Sequence, residues 1–292
     1  MREAGIRNYL LPLISLVVWN IPAFAQIDLA GAWGARLHED QAFRGPGPDL
    51  GEYEGIPLNE AGRLRAESFD AGFWEEPERQ CAAYGADLQY EIDNAQIWNE
   101  VSPLTHEIIA WHNRVDTRNI ERTWWMDGRP HPSEYAPHTW VGFSTAKWEG
   151  PMLTVTTTHL KQNYIERNGV MRSDKATLVE HYIRHGNYLT VVQITTDPVY
   201  FTEPLLRSRN LVWDPFQRVL GYSCRSAEEV SRPKHFVPHR LPGTNTALLE
   251  TAIRRKLPRE AIAGGAETMY PEFMIKMKSM KIPTAADMPA SK

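Results

Sequence analysis

Residues 139–161 read Thr139-Trp140-Val141-Gly142-Phe143-Ser144-Thr145-Ala146-Lys147-Trp148, then Glu149-Gly150-Pro151-Met152-Leu153-Thr154-Val155-Thr156-Thr157-Thr158-His159-Leu160-Lys161. Two runs of β-branched and aromatic residues flank a Glu-Gly-Pro break, which is the pattern of a β-hairpin. With Glu149-Gly150 as a two-residue loop, Trp140 faces His159, Gly142 faces Thr157 and Ser144 faces Val155. Side chains alternate across a strand, so these residues share one side, which is expected to be the interior. Thr154, Thr156 and Thr158 then share the opposite side with Thr139 and Lys147.

A second hairpin follows around Gly186-Asn187. Its spacing puts Val179, His181 and Ile183 on one face with Thr190, Val192 and Ile194. Leu178, Glu180, Tyr182 and Arg184 lie on the other with Leu189, Val191 and Gln193. The first face is the more apolar, so His181 is expected to point inward and Glu180 outward.

Outward from these hairpins, strands are expected at 87–93, 96–101, 104–111, 113–125, 139–148, 151–161, 175–185, 188–197 and 204–213. So many consecutive short strands imply a mainly β fold, an antiparallel up-and-down barrel or strongly curved sheet of lipocalin-like type. The barrel is assigned to 87–225, after an irregular Gly- and Pro-rich segment at 26–86. Within that segment Asn59 is expected to cap a short helix. Residues 226–292 carry a helix expected over 244–256 and a Pro/Ala tail. Met274, Met277 and Met280 recur at spacing three, read as an apolar helix stripe in preference to a copper site.

The N-terminus carries Arg2 and Arg7, an apolar run from Tyr9 to Val18, and Ala23-Phe24-Ala25. This pattern is expected to be a signal peptide cleaved near Ala25, the apolar run being too short to span a bilayer. The expected address is periplasmic or secreted, with no membrane span in the mature chain. Loss of Arg2, Arg7 and Glu3 would take the formal charge from −4 to −5, and no basic cluster appears, which argues against nucleic acid as a partner. The two cysteines, Cys81 and Cys224, are expected to form one disulfide in an oxidising compartment.

The stretch from His138 to His159 resembles a family of secreted bacterial β-proteins with a W-E-G-x-x-L-x-V-x-T-T hairpin. Glu180, Asp197-Pro198 and Glu203-Pro204 with Arg207 also look like that family. Asp28-Leu29-x-Gly31-x-Trp33 is similar to the G-x-W of lipocalin-type barrels. The resemblance implies an exported β-barrel and brings no established reaction with it.

No G-x-S-x-G elbow, P-loop or G-x-G-x-x-G occurs, which argues against a serine hydrolase and nucleotide cofactors. Ten histidines invite acid–base chemistry near neutral pH. The expected catalytic residues are His159, His138 and His181, with Trp140, Thr157 and Ser144 binding a hydrophobic or aromatic small molecule. His131 joins these histidines only in a metal reading, and none of them sits in a ligand motif, so metal and cofactor stay unknown. Non-redox isomerase, lyase, cyclase or hydratase chemistry suits this set. The alternatives are a non-catalytic carrier or envelope interaction protein, and a metal-dependent hydrolase.

Overall fold

The computed structural model describes residues 27–289 apart from 37–47, 54, 88–93, 116–119, 221–223 and 228–230. The expected signal peptide and most of the strand expected at 87–93 lie outside the described residues. No helix among those described is long and apolar enough to cross a membrane.

Nine strands close into a barrel: β1 (Gly31–Ala35), β2 (Ala95–Val101), β3 (Ile108–Val115), β4 (Ile120–Trp125), β5 (Phe143–Glu149), β6 (Met152–Thr158), β9 (Thr177–His185), β10 (Tyr188–Thr196) and β11 (Leu205–Trp213). A small ribbon of β7 (Asn163–Tyr164) and β8 (Met171–Arg172) is inserted between β6 and β9. The barrel closes because β1 pairs with both β2 and β11, so it recruits residues from the segment read as irregular. Gly31 makes that closure possible. A Cβ there would lie 1.9 Å from the Trp213 ring.

Eight of the nine neighbour pairs are antiparallel, and β4–β5 is parallel through Trp124↔Ser144 and Trp125↔Thr145. A parallel pair needs a long crossover in place of a hairpin. Here the crossover is 126–142, whose Pro130, Pro132 and Pro137 keep it irregular.

The β5–β6 hairpin turns at Gly150-Pro151, so Glu149 pairs with Met152 and Ser144 with Thr157. This differs from the expected register by two residues along one strand, a shift that preserves the faces. Placing Pro151 in the turn spares the ladder a residue with no amide donor. Ser144, Leu153, Val155 and Thr157 are accordingly buried inside.

The β9–β10 register is as expected, with His185 opposite Tyr188, but the faces are reversed. Leu178, Glu180, Tyr182, Leu189, Val191 and Gln193 are buried, and His181 lies half-buried on the outer wall. A buried carboxylate is costly unless paired. Its partner, Arg122, comes from β4 and gives no local signal in the 178–194 sequence.

Trp33, Trp111, Trp124, Arg122 and Tyr182 fill much of the interior, each under 2% exposed. Trp33 donates from Nε1 to the Leu29 carbonyl (3.0 Å), and Arg184 stacks over Trp33 and Trp213 at that end. A second core forms outside the barrel from Tyr53, Leu58, Val170, Phe201, Leu248 and Ala252. It docks α1 (Glu60–Glu67), capped by Asn59 as expected, and α3 (Ala247–Arg255). Cys81 and Cys224 form the expected disulfide, with Cα atoms 5.6 Å apart.

Candidate functional site

The parallel crossover decides where the histidines go. It leaves the end of β4, passes over the outer wall of β5 and β6, and re-enters the sheet through Gly142. That glycine has φ +69°, and a Cβ there would lie 2.4 Å from the Thr158 carbonyl oxygen. Just before it, Thr139 makes a parallel bridge to Leu160, donating from N to the His159 carbonyl (2.9 Å) and accepting from Lys161 N (2.8 Å). In such a bridge the flanking residues pair on the other side. His138 therefore meets His159, with ring centroids 5.3 Å apart, and Trp140 meets Lys161, whose Nζ lies 5.1 Å from the indole ring.

The expected pair of Trp140 and His159 thus shares one surface, but not as cross-strand neighbours inside the barrel. The strands end at Phe143 and Thr158, and His159 itself has φ +57°. Both residues are half-buried on the outside. The expected inward direction is corrected: one face of the hairpin is core, and the chain turns away before reaching these two residues.

His131 enters the same cluster. Its Nε2 is 2.8 Å from Thr145 Oγ1 and its Nδ1 is 2.7 Å from Thr158 Oγ1. Thr158 Oγ1 also meets His159 Nδ1 (2.8 Å), and His159 Nε2 meets the Ser133 carbonyl (2.8 Å). The carbonyl only accepts, so it fixes the direction of the whole chain. His159 donates from Nε2 and, when neutral, accepts at Nδ1 from the Thr158 hydroxyl. Thr158 then accepts from His131 Nδ1, and His131 Nε2 accepts from the Thr145 hydroxyl. A proton added at His159 Nδ1 reverses the three bonds between His159 and Thr145. Burial first, and then the charge of His159, hold the His131 imidazole below its usual range. His138 stands beside this chain, its Nδ1 donating to the Leu160 carbonyl (3.0 Å).

The remaining expected site residues are elsewhere. His181 is on the outer wall of β9, bonded to Thr154 (3.0 Å), which donates to Glu149 (2.7 Å). It faces away from the core because the β9–β10 faces are reversed. Ser144 and Thr157 are inside, 2.8 Å apart, and Thr157 accepts from Arg122 (3.0 Å). That places them in a buried network where Glu180 accepts from Arg122, Tyr182 (3.1 Å) and Gln193 (3.2 Å). With so many donors on it, Glu180 orients Arg122 and has little capacity left to act as a base.

Arg79, in α2 (Pro77–Gln80), also approaches Trp140, its guanidinium carbon 5.5 Å from the ring centroid. Arg79 and Lys161 escaped the sequence reading because neither lies in a motif. His131 had only its position beside the prolines of the crossover to mark it. Among the described residues no group of three His, Cys, Asp or Glu side chains is arranged to hold a metal ion. The imidazoles bond to hydroxyls and carbonyls and do not converge on one point. In comparisons with known proteins, no family model, curated protein or solved structure matches this chain.

Proposed function

We propose that this is an exported β-barrel protein that binds a small aromatic molecule against Trp140 and moves a proton through His159, with His138 beside it. The observation that carries the reading is the gathering of three histidines and two threonine hydroxyls on one half-buried wall, next to the half-buried Trp140. Both nitrogens of His159 are bonded, so a proton reaches it through the Thr158 hydroxyl as the chain of bonds reverses, which is general acid–base catalysis by relay without a redox step. The signal-like N-terminus, the resemblance to secreted β-proteins and the Cys81–Cys224 disulfide support export.

The barrel interior supports binding of a hydrophobic ligand less well. Trp33, Trp111, Trp124 and Arg122 occupy it, and its polar centre is a buried ion pair. The outer wall is therefore the preferred site, and a non-catalytic carrier is the second reading.

The test is solvent-deuterium exchange into a panel of aromatic molecules bearing acidic C–H groups, followed by NMR in the presence of the folded protein. Catalysed exchange that falls at least about ten-fold in His159→Gln, with binding retained, is the expected result. Exchange and binding unchanged in folded His159→Gln and His138→Gln would remove the proton-transfer role.

A further inference from the structure

We propose that the outer face of β6, β9, β10 and β11 is the contact surface of a homodimer, in which two copies of this chain meet sheet against sheet. Side chains alternate along these strands, and Leu178, Leu189, Val191 and Leu211 fill the core side. The outward side of a sheet with one solvated face is ordinarily polar. Here it carries a row of Val179, Ile194 and Leu206 across β9, β10 and β11. Val192 and Ile183 stand in the next two rows, and Met152 on β6 extends the last of them.

These residues have no core of their own. Met152, Val179, Ile183, Val192 and Ile194 pack against none of the hydrophobic core clusters of the described residues. Leu206 is 65% exposed, and Tyr188 on the same side is 47% exposed. The polar groups among them are already paired. Thr190 donates to Asn210 (2.8 Å), and Thr154 and His181 are joined at 3.0 Å. Taking water from satisfied groups costs less than taking it from unpaired ones.

Charge selects the occupant. Lys, Arg, Asp and Glu make up 23% of the chain, yet none is an outward residue of these four strands. Depletion of charge is the mark of an interface core. Charges stand only at the borders, where Glu149 pairs with Lys147 and accepts from Thr154, and Arg36 lies over Tyr188. A strongly charged partner of either sign finds nothing on this face to steer or fix it. Two copies of this net-acidic chain repel over much of their surface and meet here without repulsion. A contact about a two-fold axis needs only one such face, used by both copies. Four strands about 4.8 Å apart and up to about 30 Å long present about 600 Å². That reaches the lower end of the ~600–1,000 Å² each partner buries in a standard complex.

Sedimentation equilibrium of the mature, oxidised protein between about 1 and about 100 μM tests the proposal, with a dissociation constant in the micromolar range or below expected of such an interface. Val192→Lys and Leu206→Glu should each raise that constant at least about ten-fold, because a two-fold contact takes up each new charge twice. Leu206 is already exposed, so its variant keeps the fold whatever becomes of Val192→Lys, and near-UV circular dichroism checks both. Leu104→Lys, at an 89% exposed residue of the β2–β3 turn, is the control and should leave the constant unchanged. A monomer throughout that range would leave the face to some other partner and overturn the proposal. A dimer that persists unchanged in both folded variants would overturn it too, since another face would then join the copies.

Discussion

At the scale of single residues, one hydroxyl carries much of the account. Thr158 stands between two imidazoles, and the Ser133 carbonyl sets the order in which their protons point. His131 has its pKa lowered, mainly by burial, so the folded protein binds that proton less readily than the unfolded chain does. Its contribution to stability is therefore complete above the ordinary histidine range and is lost as pH falls from there through the lowered value. Urea denaturation midpoints should drop between about pH 7.5 and about pH 5, and His131→Gln should flatten part of that slope. An unchanged slope in the variant would mean that His131 does not feel the chain. Inside the barrel, removing one member of the Arg122–Glu180 pair leaves the other charge buried alone. Arg122→Met or Glu180→Leu should each cost about 3–5 kcal/mol in chemical denaturation, and the double variant should cost less than their sum.

At the scale of elements, the crossover 126–142 matters more than any strand. Gly142 lets it rejoin the sheet at a φ that other residues rarely adopt. Gly142→Ala meets the Thr158 carbonyl and is expected to cost about 1–3 kcal/mol, measured by thermal or urea unfolding, and to weaken binding at Trp140. The disulfide spans a sequence separation of 143 residues. Cys81→Ser with Cys224→Ser should lower stability by about 4–5 kcal/mol in the chain-entropy model and loosen the chain beside Arg79. Much of this layer was legible in the sequence. The hairpin at 186–187, the Asn59 cap and the cysteine pair follow from local composition, and so does the first hairpin, although its turn lies at 150–151 and not at the expected 149–150. The parallel β4–β5 pair was not, because a proline-rich crossover reads as a loop wherever it leads. Nor were the β9–β10 faces. Polar content argued that Glu180 points out, and only Arg122, far away in sequence, reverses that judgement.

At the scale of the whole molecule, the barrel serves as a filled scaffold, with its charged pair inside and its histidines outside. Sequence alternation alone placed Trp140 and His159 in the interior, whereas the strands end just before them and hand both to the outer wall. The account therefore stands or falls on which side of the sheet a ligand is felt. The direct measurement is an NMR titration of protein labelled with ¹⁵N-tryptophan, with the Trp140 Nε1 resonance assigned by its loss in Trp140→Phe. On addition of naphthamide, a small aromatic probe, Trp140 is predicted to shift most, while the buried indoles of Trp33, Trp111 and Trp124 stay in place. A titration in which those interior indoles move and Trp140 does not would put the site inside the barrel and contradict the account.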